Sequence, residues 1–361
     1  MNNILRNIGL LVLFLAGFAV LITLIFGVSG LKATANFFWY VLIVVAIAAV
    51  VSWVFRALGR VVMPEGFGAK AFRQMPLTAS FGILVILIYI IVAIFAPLIA
   101  PYGEAQVFEG FNVLPGGDPA LGGDPNHPLG TDQIGRDILT RLIYGARNTV
   151  GIAFVTTCLA FFIGATLGFL AATLGGWTDQ ILSRAVDVLM AIPQLIFALL
   201  LMTIAIVWSN KWGIPLTYFM VVIIAVLDST RVYRLSRAVG LNIVVMDYIE
   251  AAKLRGENLR YLVFREILPN ATAPLLAEFG LRFCFVFLTI ASLSFLGIGI
   301  QPPLADWGSM VRDLSQFIAY AAFDPLTASL PLMAAGAIAL LTVAVNFVVD
   351  WMLHKTSGLK E

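Results

Sequence analysis

The side chains able to do chemistry in this chain gather in two stretches. MDYIEAAKLRGENLRYLVFREILPN, Met246 to Asn270, crowds charges between apolar runs, and LGTDQIGRD, Leu129 to Asp137, sets carboxylates and an arginine among glycines. Neither makes a reaction centre. The chain has two histidines and two cysteines, no HExxH and no Ser or Asp pair with catalytic spacing. It also has no GxxxxGK[ST] loop, so any nucleotide must be bound elsewhere. His127 and His354 stand too far from any Cys or carboxylate cluster to suggest a metal site. Cys158 and Cys284 fall inside apolar runs and read as small core hydrophobes. What remains is recognition through docking helices and charged hydrogen bonds.

In the first stretch, Asp247 and Glu250 have the spacing of a capping box, in which the Asp side chain accepts from backbone N–H groups of a new helix. A helix is therefore predicted from Tyr248. Ala251 and Ala252 give it a small, close-approach surface, and Gly256 can end it in the left-handed conformation after about two turns. Beyond Gly256, Leu259, Leu262, Val263 and Ile267 repeat at three and four residues while Arg260 and Arg265 fall elsewhere, which predicts an amphipathic helix along the membrane surface. Pro269 disfavours helix at Leu268, and Asn270 can cap the next helix. Periodicity alone leaves two uses open, a basic helix on anionic lipid or a knob for a protein partner. The alanine pair followed by Gly256 favours the partner.

In the second stretch, Gly130 and Gly135 permit tight turns around Thr131, and Asp132, Arg136 and Asp137 can make charged hydrogen bonds. These bonds serve either to hold the loop and the following helix, or to dock a partner.

The elements that must position these residues are membrane helices. The chain is 61% hydrophobic and 12% charged with a net charge of +2, and its mean hydropathy is +0.98. That is too apolar for a soluble domain. Runs of about 20 apolar residues cross a bilayer as helices, and eight are legible: 8–28, 37–57, 79–100, 148–172, 186–209, 214–233, 271–297 and 328–350. The first is read as a retained helix and not a cleaved signal, because a second run soon follows. The expected division is two N-terminal helices in 1–60, a cytoplasmic linker at 61–78, a core at 79–350 and a cytoplasmic tail at 351–361. With both termini cytoplasmic, most basic residues lie inside. Residues 101–147 then form an irregular external loop ending in a short helix, 298–327 a second external loop, and 240–270 the long internal connection. Charges at span edges have partners at helical spacing: Asp187 with Arg184, Asp228 with Arg231, Glu278 with Arg282, Asp350 with His354. No isolated carboxylate marks a proton relay. Pro193 is expected to kink its helix.

EAAKLRG followed by ILPN resembles the EAA motif of the membrane subunits of bacterial ATP-binding-cassette importers. HPLGTDQIGRDILTRLIYGAR from His127, AIPQL from Ala191, SFLGIGIQPPLADWGSM from Ser294 and LTVAVNFVVD from Leu341 narrow the likeness to C-type permease subunits of dipeptide, oligopeptide and nickel importers. The resemblance covers about residues 75 to 355. Glu266 departs from the histidine common there, and the two N-terminal spans are extra to the usual six-helix core.

The resemblance implies an all-α polytopic protein of about eight helices with a type I importer permease core, in the bacterial cytoplasmic membrane. It implies as partners a B-type permease subunit, two cytoplasmic ATPases and an extracytoplasmic binding protein, with lipid around them and no nucleic acid. Asp247, Glu250, Ala251, Ala252 and Gly256 would form the ATPase contact. The chain itself would need no cofactor and catalyse nothing, ATP being bound in the partner subunits. Peptides are the expected substrate; nickel, glutathione or opine import by the same architecture is the alternative, and a receptor or scaffold without transport the alternative class.

Overall fold

The computed structural model describes residues 43–61, 74–322 and 324–357. Among them no β-strand forms; three isolated bridges, Leu114 with Gly123, Asp124 with His127 and Thr131 with Asp137, knit one long loop. Helices satisfy every backbone group within the segment, as a bilayer requires.

The chain divides into two compact units, one ending at Phe81 and the other beginning at Gly82. In the first, Ser52 of α1 (Ile43–Val61) accepts through its carbonyl from Ser80 Oγ of α2 (Leu77–Ile99) at 3.1 Å. The expected span at 8–28, the part of 37–57 before residue 43, and residues 62–73 of the expected linker lie outside the described residues.

The second unit continues with α3 (Ile138–Leu174), α4 (Gly176–Ala191), α5 (Gln194–Trp212), α6 (Leu216–Val244), α7 (Asp247–Leu254), α8 (Leu259–Phe295), α9 (Trp307–Leu314) and α10 (Pro325–Ser357). Among the described residues seven helices are long and apolar enough to cross a membrane: α1, α2, α3, α5, α6, α8 and α10.

Several boundaries differ from the sequence reading. Pro193 does not kink a helix spanning 186–209; it separates two. Ile192 is extended (φ −96°, ψ 133°) and Pro193 stands at the head of α5, because a proline pushes the residue before it out of the helical region. Pro269 fails to break α8, since a π-helical turn at Leu262–Ile267 shifts the bonding register just before it. Asn270 therefore caps nothing; its Nδ2 donates to the Glu266 carbonyl at 2.7 Å. The expected tail is helical to Ser357.

Packing of α3 on α6 rests on small residues. A Cβ on Gly164 would lie 2.5 Å from the Ser229 oxygen, one on Gly168 2.7 Å from Ser236 Cβ, and one on Gly240 2.8 Å from Ala172 Cβ. Between membrane helices, where lipid is as apolar as leucine, such close approach is a main source of association. Met220, Ile224, Phe287, Ile290 and Trp307 fill the core where α6, α8 and α9 meet. Cys284 is buried, but Cys158 is exposed on α3 and is no core residue.

Candidate functional site

At one end of α3 and α6 the chain builds the short helix α7. Met246, not Asp247, takes the capping position (φ −77°, ψ 143°), and no side chain caps the helix. The Met246 carbonyl already accepts from Ile249 N at 2.9 Å and Glu250 N at 3.3 Å. The helix therefore begins one residue before the capping-box reading places it. Asp247 and Glu250 both fall in its first turn, where carboxylates favour the positive end of the helix dipole.

The other end closes as a Schellman motif. Gly256 has φ +79°, its N–H donates to the Lys253 carbonyl at 2.9 Å, and Glu257 N–H donates to the Ala252 carbonyl at 3.2 Å. Space around Gly256 is open. Its backbone angle, and no neighbour, is what excludes a β-branched side chain.

The two faces of α7 differ. Ile249 and Ala252 are 0% exposed, packed with Phe169 of α3, Ile243 of α6 and Leu262, Val263 and Ile267 of α8. Asp247, Glu250, Ala251 and Gly256 face outward, joined by Leu254, 84% exposed. The sequence grouped Ala251 with Ala252; the structure splits them, Ala252 holding the helix and Ala251 lying open. Leu254 was missed, its only signal being an apolar residue one turn beyond the alanines. The apolar repeat after Gly256 is the buried first turns of α8 and not a separate surface helix.

At the opposite end of α3, the loop holding Gly130, Thr131, Asp132, Gly135, Arg136 and Asp137 folds on itself. Asp132 Oδ1 accepts from the N–H groups of Ile134 (3.1 Å) and Arg136 (3.0 Å), and Oδ2 from Arg136 Nε at 2.7 Å. Arg141 Nε approaches the same carboxylate at 3.7 Å. Asp137 Oδ2 accepts from Thr140 N at 2.7 Å, capping α3, while Oδ1 lies 2.9 Å from His127 Nδ1. Tyr102 and Phe108 pack around that histidine. Thr131 Oγ1 donates to the Gly110 carbonyl at 2.8 Å. A Cβ on Gly130 would lie 2.1 Å from the Val113 oxygen, and one on Gly135 2.2 Å from that of Phe108. The motif's charges are thus bonded within the chain and buried.

A second polar layer, unread in the sequence, ties this loop to α9. Asp306, 0% exposed, accepts from Ser309 N at 2.7 Å, capping α9, and from Thr149 Oγ1 at 3.2 Å. Trp307 Nε1 donates to the Leu142 carbonyl at 2.9 Å. Glu104 Oε1 accepts from Ala305 N at 2.6 Å and Asn148 Nδ2 at 2.5 Å, and Gln133 Nε2 donates to the Asp313 carbonyl at 3.0 Å. Burial pushes the Asp306 carboxyl above its usual range, against the bonds from Ser309 that favour the charged form. An Asp three residues ahead of Ser309 was the available capping signal.

Charges at the helix edges mostly find partners across helices instead of along them. Asp187 pairs with Arg234 at 2.7 Å and not with Arg184. Asp179 of α4 takes two hydrogen bonds from Arg237 of α6, which hold its carboxyl below the usual range. Asp228 lies closest to Arg282 of α8, at 3.8 Å, with Arg231 acting on it from farther away. Glu278 meets Arg282 at 2.6 Å, as its spacing predicts. Among the described residues no group of three His, Cys, Asp or Glu side chains is placed to hold a metal ion.

The described helices thus carry a sealed loop at one end of α3 and a short outward-facing helix at the other. Residues 164–356 match the family described as binding-protein-dependent transport system inner membrane component. This chain belongs to that family, as a permease subunit of the inner membrane. It is 33% identical over 251 residues to the dipeptide transport system permease protein DppC of Alkalihalophilus pseudofirmus, covering 69% of this chain and 78% of that one. It is 36% identical over 242 residues to the DppC of Haemophilus influenzae, covering 66% and 78%. It is also 32% identical over 244 residues to the glutathione transport system permease protein GsiD of Pectobacterium atrosepticum, covering 68% and 76%.

Proposed function

We propose that this chain forms half of the translocation pathway of an ATP-driven importer of short peptides, and that α7 is its seat on a cytoplasmic ATPase. The outward face of α7 carries this reading: Glu250, Ala251 and Leu254 stand free on a helix whose Ile249 and Ala252 are locked into the bundle. A force applied to that face is passed to α3, α6 and α8 because all three contribute to the cluster holding the helix. A face that sets the small Ala251 between an acidic residue, Glu250, and an apolar one, Leu254, suits a groove that must seat it closely and release it repeatedly.

In this reading α7 and both termini are cytoplasmic, the loop at 101–147 is external, a second permease subunit completes the pathway, and a binding protein delivers substrate. ATP binds to and is hydrolysed by two partner subunits. The dipeptide carriers among the relatives favour peptides as cargo, and the glutathione carrier marks a second reading within the same architecture. The test is purification of the chain with its gene neighbours, followed by uptake of labelled dipeptide and of glutathione into proteoliposomes. ATP-dependent dipeptide uptake is expected; absence of any co-purifying ATPase, with uptake intact after deletion of this gene, would overturn the reading.

A further inference from the structure

α7 joins the ends of α6 and α8, yet the α8 side of that joint is soft. After a first α turn it is π-helical at Leu262–Ile267, and Pro269 and Pro274 follow, each without an N–H to donate. Displacement of α7 would be absorbed there as bending unless α8 were tied to α6 again further along. The tie is present. Beyond Pro274, Arg282 of α8 lies with Nη1 3.8 Å from Asp228 Oδ1 of α6 and Nε 2.6 Å from Glu278 Oε1. Its guanidinium also sits 4.5 Å from the Phe285 ring centroid, and Arg231 of α6 approaches the same ring at 5.8 Å.

Two carboxylates and two guanidinium groups cancel in charge, as an intramembrane cluster must. Asp228 is 0% exposed, and among the described residues neither of its oxygens has a hydrogen bond of ordinary geometry, although the Gln194 side chain lies beside it. Burying a carboxylate opposite an arginine at 3.8 Å, with the Gln194 side chain of α5 as its other polar neighbour, is a poor device for stability alone. Ser229, next in sequence, sits where Gly164 of α3 abuts α6, so the tie meets the rigid α3–α6 pair at its tightest contact.

We propose that Asp228 and Arg282 are positioning residues for transport: a cross-brace that makes α8 follow α6 above the soft joint, so that movement of α7 reaches the pathway. The inference rests on the proposed ATPase seat. Without the brace, ATPases still dock and hydrolyse, but α8 bends and fewer substrate molecules cross per ATP.

The experiment uses the whole reconstituted transporter with alanyl-alanine as the probe, measuring ATPase co-purification, hydrolysis and dipeptides moved per ATP. Asp228→Asn and Arg282→Gln are expected to keep ATPase binding and hydrolysis within about twofold of wild type and to lower dipeptides per ATP at least tenfold. Arg282→Lys, which keeps the charge, should retain more of the ratio than Arg282→Gln. Wild-type ratios in the single variants, a ratio in Arg282→Lys no higher than in Arg282→Gln, or loss of bound ATPase from both Asp228→Asn and Arg282→Lys would each overturn the brace. Absence of ATP-driven uptake by the wild-type complex would instead overturn the proposed function.

Discussion

The loop at 101–147 and the helix α7 are both charged interruptions of an apolar chain, and they use their charge in opposite ways. In the loop, Asp132, Arg136, Asp137 and His127 are buried and bonded to one another, and Asp306 and Glu104 extend the network to α9 and α3. On α7 the carboxylates and Leu254 point outward while only Ile249 and Ala252 face the bundle. Residues whose hydrogen bonds are satisfied inside have little left to offer a partner. Those left free on an anchored helix are available to one. The loop is thus a closed cap that braces the ends of α3 and α9, and α7, in the proposed function, is half of an interface.

Substitutions should separate the two regions. Asp306→Ala should have the largest effect on stability, about 2–3 kcal/mol, since it removes the cap of α9 and leaves Ser309 N–H and Thr149 without their buried acceptor. Thermal unfolding of the purified complex should shift clearly downward, with ATPase binding by the surviving folded protein unchanged. Loss of ATPase binding from that protein would mean the two ends are not separable.

Gly256→Val comes next. Val is strained by about 1–2 kcal/mol at a left-handed position, and φ at Gly256 is +79°. Because nothing packs on Gly256, insertion and the global unfolding midpoint should hardly change while ATPase co-purification and substrate-stimulated hydrolysis fall. Wild-type values for both would remove α7 from coupling.

The sequence made the spans legible because lipid imposes one rule on every residue of a crossing helix. It was silent where a local signal had to compete with that rule. The break at Ile192–Pro193 is short inside an otherwise apolar run, and the π turn before Pro269 has no composition of its own. Ala251 and Ala252 carry no polarity that distinguishes their sides, so only the packing of Ile249 and Ala252 on Phe169 and Ile267 separates them. Tertiary pairs were hidden for a different reason. Arg184 and Arg231 offered nearer partners to Asp187 and Asp228 than Arg234 and Arg282, which helix packing brings closer in space. The loop motif was visible as chemistry, while its closure through Glu104 and Asp313 depends on residues far along the chain. Gly164 and Gly168 form a GxxxG pattern, of the kind that marks close helix contact, which the sequence reading passed over.

Smaller effects should sharpen the contrast. Glu250→Lys reverses a charge in the first turn of α7 at about 0.3–1 kcal/mol of helix stability. Its consequence should be read in hydrolysis stimulated by the binding protein, which is expected to drop while the unfolding midpoint stays within error. Acidification should move the two ends in opposite directions. Burial raises the Asp306 carboxyl, so the folded state takes up a proton more readily than the unfolded one; its contribution is greatest below the usual carboxylate pKa of about 4 and is lost as pH rises through the folded value. Arg237 lowers the Asp179 carboxyl, whose contribution is present above that usual value and lost as pH falls through the depressed one. Hydrogen exchange in α9 and α4, corrected for intrinsic rates, should show α9 gaining protection and α4 losing it as pH is lowered towards and below about 4. The same direction of change in both would contradict these assignments.

The most direct measurement compares Ala251→Cys with Ala252→Cys in the assembled complex, each tested for cross-linking to a cysteine-scanned ATPase surface. Cross-linking from position 251 and none from position 252 is the predicted result. Equal cross-linking from both, or from 252 alone, would contradict the outward face of α7 as the point at which the ATPase drives this permease.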